Sequence, residues 1–127
     1  MTKISISVDV PNLSDGFRFY TEALGFSKVS EPCPGVVLLR AGACEICLLE
    51  KEAGTRPAAG TSDRRVYQRH WTPVHLDFHV ADLDAALAQA LSAGAKQEAV
   101  FRNPGYPAVA FCSDPFGHGF CLIENRP

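Results

Sequence analysis

The chain lacks any excess of charge of one sign. Twelve Lys and Arg stand against 14 Asp and Glu in 127 residues, a formal net charge of −2. So even a balance creates no field that would draw a nucleic acid or an anionic membrane, and neither is expected as a partner. Long apolar runs are missing too: none approaches the ~20 residues of a membrane span. Met1-Thr2-Lys3-Ile4 leads straight into an alternating segment. That leaves no space for a signal peptide, and the expected location is cytoplasmic. The cysteine count of five is odd, which fits reduced cytosolic thiols better than a disulfide framework. The length suits one domain, or two tightly fused halves, burying roughly two-thirds of the unfolded surface.

What is present is a repeat. Val74-His75-Leu76-Asp77-Phe78-His79-Val80 alternates strictly, with Val74, Leu76, Phe78 and Val80 on one side and His75, Asp77 and His79 on the other. A strand's side-chain period of two gives it one apolar and one ionisable face. Ile4-Ser5-Ile6-Ser7-Val8-Asp9-Val10 does the same, with Ser5, Ser7 and Asp9 as its polar face. Asn12 and Asp82 are good helix N-caps. The stripe Leu13, Phe17, Tyr20, Leu24 then predicts one amphipathic helix, closed by Gly25. The stripe Leu83, Leu87, Ala90, Leu91 predicts another, closed by Gly94. After each helix comes a short exit strand, 26–29 or 95–100, with Pro32-Cys33-Pro34-Gly35 and Asn103-Pro104-Gly105 as turns. Each copy ends in a hairpin: 36–40 with 44–50 about Ala41-Gly42-Ala43, and 108–113 with 118–124 about Asp114-Pro115-Phe116-Gly117. Asp114, Pro115 and Gly117 match positions i, i+1 and i+3 of a type I turn. Ile46-Cys47-Leu48-Leu49-Glu50 and Phe120-Cys121-Leu122-Ile123-Glu124 echo one another.

The predicted fold class is therefore α+β, with two tandem βαβββ modules: module one 1–50, a connector or loop 51–73, and module two 74–127. Each helix must cover the apolar face of its own sheet. The polar faces are left to line a cleft shared by the two sheets, where such groups must bond one another, water or a ligand. In the connector, residues 51–63 read as a punctuated loop. Residues 64–71 read either as a solvated connector tacked down by Tyr67 and Trp71 or as a lip that contacts substrate.

This pattern resembles the vicinal oxygen chelate (VOC) superfamily. The likeness rests on the repeated unit, on Phe19-Tyr20…Leu24-Gly25-Phe26 at the helix end, and on Asp114-Pro115-Phe116-Gly117 before the final strand. That group includes glyoxalase I, bleomycin-resistance proteins, extradiol dioxygenases and fosfomycin-resistance enzymes. Val74-His75-Leu76-Asp77 with Phe120-Cys121-Leu122 is most similar to glyoxalase-like members of actinobacterial type. The resemblance implies metal positions on the first and last strand of each unit, here Ser5, His75, Cys47 and Cys121. Only His75 keeps a usual ligand type, so the two-His, two-Glu site is absent. A homodimer is implied as well.

Several readings of the site remain open. The expected binding residues for a small-molecule ligand are Ser5, Ser7, Cys47, His75, Asp77, His79, Cys121 and Trp71, with His75 as candidate general base and no metal cofactor. Alternatively, Cys47, His75 and Cys121 converge on one divalent metal, zinc best suiting such donors, in a lyase or dioxygenase. A structural or regulatory dimer, its polar groups satisfying one another, is the third alternative. Within a regular strand His75, Asp77 and His79 stand about 7 Å apart at each step, so Asp77 reaches an imidazole only through a bend or a water. Cys44 and Cys47 face opposite ways on a strand and form no redox pair. His70 and His118 fall in turns and are expected to be solvated. Asp9 and His79 hold equivalent places at their strand ends. Glu50 and Glu124 point away from the cleft, unless the register slips by one residue.

Overall fold

A computed structural model of the chain describes residues 1–125. The elements run β1 (Ser5–Val10), α1 (Leu13–Leu24), β2 (Ser27–Cys33), β3 (Val36–Ala41), β4 (Cys44–Glu50), β5 (Leu76–Val80), α2 (Leu83–Ser92), β6 (Lys96–Phe101), β7 (Val109–Ser113) and β8 (Gly119–Glu124). They build two sheets with one connectivity, ordered β1-β4-β3-β2 and β5-β8-β7-β6. In each sheet the first and last strands of the repeat pair in parallel and the other neighbours are antiparallel. This is the α+β duplication that the sequence predicts. The compact units comprise Met1–Thr21 with Gly25–Tyr67, and Glu22–Leu24 with the chain from Gln68 onward.

The repeat extends to individual hydrogen bonds. Asn12 Oδ1 accepts from the Asp15 amide and Asp82 Oδ1 from the Ala85 amide, both at 3.0 Å. The Glu50 carboxylate accepts from the Leu13 amide and Glu124 from Leu83, both at 2.8 Å. Each helix thus begins on a cap and on a carboxylate from its own sheet, set against the positive end of the helix dipole. The register does not slip, and both glutamates point to the helix side. Gly25, at φ 71°, closes α1 with its amide on the Thr21 carbonyl, and the Phe26 amide returns to Tyr20. A left-handed residue at that place satisfies carbonyls that would otherwise end unpaired.

Local expectations needed adjustment in four places. The buried side of α1 is Gly16, Phe19, Tyr20 and Ala23, while Phe17 and Leu24 are half-buried. A Cβ on Gly16 would come 2.9 Å from Val10, so the helix is turned to bring its smallest residue onto β1. In α2, Leu83, Leu87 and Ala90 are buried, but Leu91 lies outside the stripe and is exposed. Strand β2 continues to Cys33, leaving Pro34-Gly35 as the turn. Ile4 and Val74 precede their strands and are exposed rather than turned to a helix.

In the second unit, α2 packs on β7 and β8. Leu122 and Ala110 are fully buried there, and Phe78 and Phe120 meet at 5.7 Å between ring centres. The register puts Asp77, Cys121 and Phe111 together on the opposite face of the sheet. That face carries the site.

Candidate functional site

The first unit carries Ser5, Ser7 and Cys47. Ser7 pairs with Cys47, so the two share a face with Asp9 and Leu49. Both serines are exposed and Cys47 is half-buried. Burial, with Cys33 nearby, pushes the Cys47 thiol up. Asp9 is engaged by Arg65, whose Nε lies 2.7 Å from its carboxylate. The same guanidinium reaches Thr55 Oγ1 and the Arg56 carbonyl, which binds part of the connector to this sheet. Asp9 therefore anchors a loop.

The second unit holds a pocket of about 260 Å³. Its floor includes the Phe111 and Cys121 side chains, with the chain at Cys112 and Phe120, whose side chains turn to the helix face, and its rim includes Arg69, Trp71, His75 and Glu98. A strap, residues 68–71, forms one wall and is seated by two glycines. Gly117, at φ 94°, leaves no space for a side chain beneath the Gln68 carbonyl, and its own carbonyl accepts from the His70 amide at 3.3 Å. Gly119 lies beneath the Arg69 guanidinium. Arg69 makes a two-pronged pair with Glu98, Nε to Oε2 at 2.6 Å and Nη2 to Oε1 at 3.0 Å. The Trp71 ring stacks on that guanidinium 3.7 Å from its centre, yet Trp71 remains 76% exposed. The turn beneath is rigid: the Asp114 carboxylate accepts from the Phe116 and His118 amides, and the Gly117 amide closes on the Asp114 carbonyl. This is the type I geometry expected there.

Along the pocket edge, His75 Nε2 and Asp77 Oδ1 are 3.2 Å apart. This corrects the expected separation. His75 lies ahead of β5, which starts at Leu76, so its backbone escapes the strand's spacing. The Cys121 sulfur lies within 4.8 Å of the Asp77 carboxylate and of the His75 ring nitrogen. Burial first, then the adjacent Asp77 carboxylate, pushes that thiol up to about 11. Such a thiol stays protonated at neutral pH and is a poor nucleophile by itself. His79 stands further along, its Nδ1 3.0 Å from the Asn125 side-chain oxygen, and does not line the pocket. His70 and His118 are not merely solvated: their rings meet edge to face at 5.3 Å, and His118 is half-buried.

Of the residues expected to bind, the pocket therefore gathers Trp71, His75 and Cys121, with Asp77 directly behind the last two. Arg69, Glu98 and Phe111 were missing from that expectation. Arg69 falls in the segment whose reading as a lip was left open. Two glycines in Gly117-His118-Gly119 were the available signal for a chain crossing close above.

Residues 5–123 match the family model of the glyoxalase-like domain. The chain belongs to this glyoxalase-like family. It thereby falls within the VOC superfamily, and solved structures agree on the fold. The fosfomycin resistance protein FosX from Listeria monocytogenes superposes with TM-score 0.75 at 13% identity, over 99% of this chain and 94% of that one. Lactoylglutathione lyase from Agrobacterium tumefaciens gives TM-score 0.67 at 18% identity, over 98% and 93%. A FosX variant from Listeria monocytogenes with one glutamate changed to glutamine, complexed with Mn(II) and 1S,2S-dihydroxypropylphosphonic acid, gives 0.76 at 15% identity, over 99% and 92%. No curated protein matches this sequence.

A metal is thus a question for this glyoxalase-like chain too. His75, Asp77 and Cys121 bring ligand atoms within 4.8 Å of one another, the one such cluster of three among the described residues. A nitrogen, an oxygen and a sulfur donor fit zinc with three protein ligands and an open position. Asp77 enters this set; Cys47, the remaining member of the expected trio, belongs to the first unit. A zinc held there would polarise a bound oxygen atom.

Proposed function

We propose that this glyoxalase-like protein binds a small organic molecule in the pocket of its second unit, without the two-His, two-Glu metal set. The observation that carries the reading is the pocket itself: the Phe111 ring and the Cys121 thiol beneath a rim of Arg69, Trp71, His75 and Glu98. Sites of that composition take ligands by apolar contact and orient them through a few polar groups. His75 is the group positioned to take a proton or a hydrogen bond from the ligand, with Asp77 stabilising its charged form. Native mass spectrometry of freshly purified, untagged protein tests this. A co-purifying organic mass that is lost on Phe111→Ala supports the pocket, and a ligand that survives the change sinks it.

One observation favours a second reading, a metal-dependent lyase or dioxygenase. It is the His75, Asp77 and Cys121 cluster, which supports a single zinc. Elemental analysis decides between them: one equivalent of zinc in the parent, lost in Cys121→Ser, would replace the metal-free reading. We also propose a cytoplasmic homodimer. Support for the dimer comes from β2, an edge strand exposed along its whole length, since such edges tend to be covered by a partner. The same spectrum reports that stoichiometry.

A further inference from the structure

We infer that the pocket selects a flat aromatic ligand carrying a positive charge and rejects anionic ones. The inference rests on the binding reading above and adds the ligand's chemistry.

The aromatic part follows from the lining. Two rings, Trp71 and Phe111, and the Cys121 thiol border the cavity. Aromatic rings pack on such surfaces by stacked or edge contacts, and sulfur is a polarisable neighbour. Arg69 covers one face of Trp71, and a ring still 76% exposed has its other face open.

The sign of the charge follows from a count. Among the described residues, Arg69 is the one Lys or Arg side chain lining the pocket. Its Nε and Nη2 donate to the Glu98 carboxylate and its Nη1 to the His70 carbonyl. The Glu98 carboxylate already neutralises that guanidinium, so an anion entering the pocket meets no uncompensated positive side chain there,. Behind His75 and Cys121, Asp77 meets an imidazole and a thiol, and among the described residues it pairs with no Lys or Arg. Asp77 is partly open, its side chain 41% exposed. An ammonium group on the ligand would complement it, and the faces of the aromatic rings favour a cation as well. The FosX variant found with a phosphonic acid also contains Mn(II); here Arg69, the basic side chain at the pocket, is already committed to Glu98.

Three ligands with one ring system test the inference on the 127-residue protein by titration calorimetry: 1-naphthylmethylammonium, 1-naphthalenemethanol and 1-naphthoate. The ammonium compound should bind about tenfold tighter than the alcohol, and the carboxylate weakest. Asp77→Asn should bring the ammonium compound down to the alcohol. Glu98→Gln, by releasing Arg69, should raise the carboxylate above its parent value. Equal or tighter binding of the carboxylate by the parent, or an Asp77→Asn titration identical to the parent's, overturns the charge selection. In that event binding still weakened by Phe111→Ala leaves the pocket standing. Heat from none of the three compounds, or binding indifferent to Phe111→Ala, removes the pocket reading together with the inference.

Discussion

The guanidinium of Arg69 fills the space in which a side chain on Gly119 would begin: a Cβ there would stand 2.5 Å from Nη2 and 2.8 Å from Cζ. Gly119 has no need of a positive φ, so its role is purely one of space. Gly119→Ala should push Arg69 off Glu98 and Trp71 and cost about 1–3 kcal/mol in urea unfolding. In an Arg69→Ala background the same change should cost less than about 0.5 kcal/mol, because the colliding partner is gone. Additive costs would show that the two residues are not coupled.

The carboxylates of Glu50 and Glu124 perform the same service at the starts of α1 and α2. Replacing either with Ala should remove about 1 kcal/mol of stability, the scale of a lost N-terminal hydrogen bond and dipole contact. Ligand titrations should be unchanged, since neither residue lines the pocket. Paired denaturation and binding curves check both statements.

Thiol reactivity should divide the cysteines. Cys33 and Cys44 are exposed and should be alkylated first near pH 8. Cys112 is buried, and that burial, with Glu98 second, pushes its thiol up to about 11. The thiol is raised in the folded state, so the unfolded chain loses this proton at lower pH. The stabilising difference is intact below the ordinary thiol pKa near 9 and disappears as pH rises through about 11,. Stability should therefore fall across that alkaline window, and Cys112→Ala should flatten the fall. Mass-resolved alkylation and pH-dependent melts measure these outcomes.

Arg65 fastens the loop that follows β4. Besides Asp9 and Thr55 it makes a small backbone ladder, Gly54 amide to Arg65 carbonyl and Arg65 amide to Thr55 carbonyl, each at 2.8 Å. Arg65→Gln removes the charged part and keeps the ladder. Residues 52–63 should then exchange amide hydrogens about tenfold faster, with global stability lowered by no more than about 1–2 kcal/mol. Unchanged exchange would place the hold elsewhere.

The sequence disclosed the frame through local chemistry. Asn12, Asp82, Gly25 and the Asp114-Pro115-Phe116-Gly117 turn act on neighbours within four residues, so their meaning survives without a fold. The buried side of α1 was misread because apolar weight favours Phe17 and Leu24, whereas close packing against Val10 favours Gly16. The His75–Asp77 contact depended on where β5 begins, a matter of two residues. Arg69 and Glu98 lie 29 positions apart. Glu98 sits at an irregularity between Gln97 and Ala99, where strand alternation no longer states which face a side chain takes. Pairings made across such a break become legible only once the chain is folded.

The two hairpins, alike in ancestry, have been put to different uses. The first turns on Gly42-Ala43; the second carries Gly117 and Gly119, and through them a short crossing segment whose side chains can be exchanged while the strands beneath stay as they are. Descendants of this chain could therefore acquire a new ligand preference by rewriting four consecutive codons, with the strands of the sheet untouched.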